Sequence, residues 1–186
     1  MLSYGELKKG VVFVLDGDPW LVLDSGFLRM QQRKAVMQTK LKNLKTGKIV
    51  DRNFQASENF EEAEIEREKA VYIYASRGEH WFHKKDDKAK RFSLAATALG
   101  AKAQFLKPNL EVTMVRFGDE VINVEMPIKV DYEVVDAPPA VKGNTAQGGA
   151  KQVKIATGAL VTTPMFIETG DIIKVNTETG EYVERV

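Results

Sequence analysis

The hydrophobic and polar positions of this chain alternate in short runs, and those runs predict β-strands almost throughout. GVVFVLDGDPWLVLDSGFL (10–28) holds two runs rich in Val, Leu and Phe, broken at Asp16-Gly17-Asp18-Pro19. Asp-Gly between apolar runs is a strong short-hairpin signal. From Met37 the pattern puts Met37, Thr39 and Leu41 on one face and Gln38, Lys40 and Lys42 on the other, a half-buried strand with a basic outer side. Asn43–Gly47 reads as a turn, and Lys48–Phe54 as the returning strand. VYIYASRGEHWFHKKDD predicts a hairpin turning at Arg77-Gly78-Glu79, and LEVTMVRFGDEVINVEMP another around Phe117-Gly118-Asp119-Glu120. KVDYEVVDA, VKIATGALVTTPMFI and DIIKVNTETGEYVERV are strands separated by Gly- or Pro-containing turns.

Two stretches break the rule. SLAATALGAKAQFL (93–106) is Ala- and Leu-rich and predicts a helix capped by Ser93, ending before Lys107-Pro108-Asn109. For the acidic stretch ENFEEAEIEREKA (58–70), a helix, an acidic crossing strand and a solvated linker all fit. Short runs with a turn signal every ten residues or so favour small barrels or sandwiches over a parallel sheet. Boundaries fall near 63 and near 127, giving three segments: 1–63, 64–127 and 128–186.

Composition excludes more than it selects. Apolar residues make up 44% and charged residues 28% of the 186, ordinary for a soluble globular protein. There is no cysteine, hence no disulfide framework, thiolate nucleophile or thiolate metal site. MLSYGELKKG lacks the apolar core of a signal peptide, and no apolar run approaches the roughly 20 residues of a membrane span. A reducing cytoplasm and no membrane partner are therefore expected.

Net charge is only +1, but its distribution is uneven. Between Phe27 and Asn53 lie Arg29, Arg33, Lys34, Lys40, Lys42, Lys45, Lys48 and Arg52 against the single acid Asp51, a net of +7. Edge-strand lysines do deter aggregation, yet this excess is more than edge protection needs. A basic hairpin on a small barrel suits phosphate contacts, which supply affinity and position rather than sequence reading. At the centre of the field, RMQQRK (29–34) occupies a turn without any Gly, Pro, Asn or Asp.

Catalytic signatures are scarce. His80 and His83, the only histidines, are three apart, which places them on opposite faces of a strand. Nothing in the sequence suggests that a serine is paired with either, and no phosphate-binding glycine motif opens a helix. No catalytic residue, metal or cofactor is expected. The Gly143–Gly149 stretch (GNTAQGG) is a surface loop in one reading. In a sharper one it touches RNA, Asn, Thr and Gln offering hydrogen bonds and Gly allowing close approach.

TKLKNLKTGKIVDRNF (39–54) and the carboxyl end APPAVKGNTAQGGAKQVKIATGALVTTPMFIETGDIIKVNTETGEYVERV (137–186) resemble the bacterial elongation factor P family. Gly158, Pro164, Gly170 and Thr179-Gly180-Glu181-Tyr182-Val183 carry the carboxyl signature. The resemblance implies an all-β protein of three small barrels, the first SH3-like (KOW-type) and the other two OB-like, arranged as an L that mimics tRNA. It implies a monomer acting with the 70S ribosome, ribosomal RNA and P-site peptidyl-tRNA, between the P and E sites, to relieve stalling at consecutive prolines.

By carry-over, Arg29, Gln31, Gln32, Arg33 and Lys34 would meet the tRNA acceptor end. Lys40, Lys42, Lys45 and Lys48 would meet RNA phosphates. Gly143, Asn144, Thr145, Gln147, Gly148 and Gly149 would lie near the E-site codon. The family's tip usually reads like KPGKGQAF, with a modified lysine or arginine; an ungapped alignment puts Gln32 there, which carries neither amine nor guanidine. The tip then acts unmodified, or Arg33 or Lys34 takes its place through a shifted turn, or the chain is a paralogue with altered activity. The rival reading is a general OB-type single-stranded nucleic-acid binder, stacking bases on Tyr72, Tyr74, Trp81 or Phe82. The near-neutral middle segment argues against it.

Overall fold

The computed structural model describes residues 1–28, 35–139 and 149–186. Its strands are β1 (Leu2–Ser3), β2 (Val12–Leu15), β3 (Asp18–Leu28), β4 (Val36–Asn43), β5 (Ile49–Gln55), β6 (Asn59–Glu62), β7 (Ile65–Ser76), β8 (Glu79–Lys84), β9 (Asp87–Ala95), β10 (Glu111–Phe117), β11 (Glu120–Glu125), β12 (Lys129–Asp136), β13 (Ala150–Ile155), β14 (Leu160–Pro164), β15 (Ile172–Asn176) and β16 (Tyr182–Arg185). They form three sheets, ordered β1-β6-β2-β3-β4-β5, β11-β10-β7-β8-β9 and β14-β13-β12-β15-β16. The expected all-β class is the one adopted.

The turns form where the local chemistry makes them cheap. Asp16 (φ 55°) and Gly17 (φ 83°) both adopt the left-handed region, so Leu15 pairs with Asp18 across a two-residue turn. Arg77 (φ 53°) and Gly78 (φ 81°) repeat the device between β7 and β8. The acidic stretch resolves into strands β6 and β7 rather than a helix.

The expected helix over 93–106 is corrected. Strand β9 runs on through Ser93 to Ala95, because Trp81 pairs with Ser93 and Glu79 with Ala95. Only α1 (Ala96–Leu99) is α-helical, and residues 100–105 are a 3-10 turn. Ser93 caps nothing; the N-cap is Ala95, without a side-chain hydrogen bond. Alanine-rich composition signalled helix, but cross-strand pairing held the first three residues and Gly100 (φ 61°) ended the α-helical turn.

By contacts the chain divides into two units, residues 1–68 with 114–124, and residues 69–113 with 125–186. In the first, Leu7, Phe13, Val22, Leu41, Phe54 and Phe60 form a core. The rings of Phe13, Phe54 and Phe60 meet edge to face, with centroids 4.7–5.9 Å apart. Leu44, Val115 and Ile122 gather a second cluster in the same unit. In the other unit, β12 buries Val130, Tyr132 and Val134 by strict alternation, and Tyr132 donates a 2.6 Å hydrogen bond to the Phe105 carbonyl.

Candidate nucleic-acid interface

The longest hairpin in the first sheet is β3–β4. Its register runs from Trp20↔Asn43 to Leu28↔Val36, with a bulge between Val22 and Asp24. Strand β4 alternates as its sequence dictates: Met37, Thr39, Leu41 and Asn43 are buried, while Gln38 and Lys40 are exposed and Lys42 is half-buried. Thr39 satisfies its buried hydroxyl by donating to the Arg52 carbonyl at 2.8 Å. The apolar stripe thus fixes which way the lysines face, and the outer side of β4 is basic.

Neighbouring strands temper that charge. Lys40 stands between Asp24 on β3 and Asp51 on β5, its register partners on either side. Lys42 stands between Leu21 and Ile49. Lys48 is exposed beyond the turn. Among the described residues, none of these three lysines is in an ion pair.

Lys45 is different. The Asn43 side-chain oxygen accepts hydrogen bonds from the Lys45 and Thr46 backbone N–H groups, both at 2.9 Å, and its amide donates to Asp18 at 2.9 Å. This knot holds the Lys45 ammonium 3.4 Å from Asp18 and 3.3 Å from Glu120. Burial works to lower its pKa, but the two carboxylates outweigh it and the pKa is raised. Arg52 likewise pairs with Asp16 at 3.4 Å, its guanidinium 5.6 Å from the Phe54 ring centroid.

Of the sequence-derived candidates, Lys40, Lys42 and Lys48 are therefore open to an external anion, and Lys45 is held internally. Arg29, Gln31, Gln32, Arg33 and Lys34 lie outside the described residues, as do Gly143, Asn144, Thr145, Gln147 and Gly148; Gly149 is partly buried just before β13. The counter-ions Asp16, Asp18 and Glu120 were missed by counting charge along the chain. The Asp-Gly-Asp hairpin signal beside the basic run could have supplied the first two.

The histidines face opposite sides of β8. His80 is buried, its Nδ1 3.3 Å from the Tyr72 hydroxyl, and His83 Nδ1 lies 2.8 Å from the Lys84 carbonyl. Among the described residues no group of three or more His, Cys, Asp or Glu side chains could hold a metal. No helix among them is long and apolar enough to cross a membrane.

Residues 3–60 match the model of the elongation factor P (EF-P) KOW-like domain, and residues 130–185 that of the elongation factor P C-terminal region. Elongation factor P of Thermodesulfovibrio yellowstonii is 36% identical over 186 residues, covering 100% of this chain and 99% of that one. Elongation factor P of Caldanaerobacter subterraneus subsp. tengcongensis is 37% identical, covering 100% of both. Among solved structures, translation initiation factor 5A from Methanococcus jannaschii superposes on 67% of this chain and 93% of its own, at 15% identity and a TM-score of 0.49.

Proposed function

The chain belongs to the elongation factor P family of translation factors, and from that premise we propose that it binds the 70S ribosome between the P and E sites and positions P-site peptidyl-tRNA so that peptide bonds form at consecutive prolines. The observation that carries this reading is the β3–β4 ladder. Its last pair, Leu28↔Val36, makes residues 29–35 the connection at the far end of an eleven-residue strand. Arg29, Arg33 and Lys34 fall in that connection.

A ribbon of this kind delivers cations and long side chains to the tRNA acceptor end without chemistry of its own. Proline is a rigid, poorly placed reactant. Holding the reacting ends in line removes an orientational cost that the ribosome alone meets slowly at such sites. Lys40, Lys42 and Lys48 add contacts to phosphates of tRNA or ribosomal RNA. Segments 1–63, 64–127 and 128–186 act as three domains, with Gly143–Gly149 near the E-site codon. The factor works as a monomer in the cytoplasm.

A reconstituted translation reaction on a Pro-Pro-Pro template tests this. Adding the protein releases the stall, and neutralising Arg29, Arg33 and Lys34 together abolishes the release. A stall that persists with the unaltered protein overturns the reading. Intact-mass measurement of the natively expressed chain separates the tip readings: the encoded mass means a bare tip, and added mass on Arg33 or Lys34 means a shifted one.

A further inference from the structure

A second feature lies far along the chain from the basic hairpin, on the ladder β7–β8–β9. Its inner face buries Ala70, Tyr72, His80, Phe82 and Leu94. By simple alternation Tyr74 would join Tyr72 on that face. A bulge between Tyr72 and Tyr74 inserts Ile73 and turns Tyr74 to the opposite side, where it pairs with Trp81. A bulge costs a ladder hydrogen bond and re-aims one side chain. Here the side chain it re-aims is a tyrosine left 45% exposed.

The result is a near-parallel aromatic pair, with ring centroids 6.4 Å apart and planes inclined by 23°. Trp81 also pairs with Ser93, and the next row on the same face is Val71, His83 and Arg91. Arg91 is exposed, about 7 Å along β9 from Ser93. Among the described residues it is in no ion pair. Beneath it, the end of β8, the Lys85-Asp86 turn and the start of β9 (84–91) carry five basic residues against Asp86 and Asp87, with Lys85 paired to Glu111 at 2.6 Å and Lys90 to Asp87 at 3.7 Å. The exposed Lys88 and Arg91 thus place positive charge beside the exposed Tyr74 and the half-buried Trp81.

We propose that this face, Tyr74 and Trp81 with Arg91 at its edge, is a stacking platform for single-stranded RNA, distinct from the basic β3–β4 hairpin. Every nucleobase offers a π-face, so an exposed aromatic ring backed by a near-parallel neighbour binds bases without reading sequence, while an adjacent guanidinium holds a phosphate. Five-stranded barrels of the OB type present the face of their second and third strands to oligonucleotides in the same way. Tyr72 and Phe82 take no part, since both are core residues. The inference goes beyond the proposed function, because it requires no ribosome.

The test is a titration of the full chain at low salt with fluorescein-labelled oligouridine of about 12 nucleotides. Bound RNA quenches indole emission. Trp81→Phe keeps the affinity and removes the quenching. Tyr74→Ala weakens binding roughly 5- to 150-fold, the range expected for one lost stacking contact. Arg91→Ala lowers the salt slope by about 0.7, and a matched duplex binds more weakly than the single strand. The proposal is overturned by an indole signal that RNA leaves unchanged, by wild-type affinity in Tyr74→Ala, by a duplex that binds as well, or by no binding at all; the face then serves a protein or only solvent. Relief of proline stalling is scored separately, so either reading can fall alone.

Discussion

His80 Nδ1 and the Tyr72 hydroxyl lie 3.3 Å apart on the buried side of the middle sheet, each the other's polar partner. Burial pushes the His80 pKa down and the Tyr72 pKa up, so both groups are driven towards their neutral forms by one cause. Glu79 pulls His80 the other way, but less strongly.

Stability should therefore fall at both ends of the pH scale. With the folded His80 pKa depressed, the unfolded chain takes up the proton first, and stability is lost as pH drops below about 6.5, the ordinary histidine value. With the folded Tyr72 pKa raised, the unfolded chain loses its proton first, and stability is lost as pH rises above about 10. Tyr132, buried and shifted the same way, steepens the alkaline limb. Urea midpoints measured from pH 5 to 11 should trace this dome, and His80→Gln should flatten its acid side only.

Lys45→Met should cost stability rather than RNA affinity. Each half-exposed pair, to Asp18 and to Glu120, is worth about 0.2–1 kcal/mol. Urea denaturation should show a loss of that order. Binding of tRNA should hardly change, because the charge is already neutralised in the free protein.

Lys40, Lys42 and Lys48 should behave in the opposite sense. Converting all three to alanine should leave the denaturation midpoint nearly unchanged and reduce the slope of log K against log salt for tRNA binding by about 2–3. A slope unaltered by the triple change would show that these lysines face only water.

Gly180→Ala should destabilise the third sheet. Gly180 sits at φ 75°, and a methyl group there would lie 3.4 Å from the Phe105 ring. The left-handed backbone alone costs a non-glycine residue about 1–2 kcal/mol. A lowered urea midpoint of that size is expected, with no effect on the β3–β4 lysines.

Sequence alone showed where most strands turn, because Asp16-Gly17 and Arg77-Gly78 bend for local reasons. The buried side of β4 was legible for the same kind of reason: Met37, Thr39 and Leu41 alternate with polar residues. What failed was non-local. Ser93–Ala95 read as a helix start because nothing in the segment announces that β8 will pair with it. The charge count around Lys45 overlooked Asp18 and Glu120, one from a neighbouring strand and one 75 positions further along the chain. The exposure of Tyr74 depends on a single inserted residue, which a period of two cannot reveal.

The register that ends at Leu28 and Val36 also bears on how such a factor can diversify. The reach of the finger is set by paired backbone and by side chains buried at its root. A lineage can therefore rewrite the residues between Leu28 and Val36 and keep the same arm.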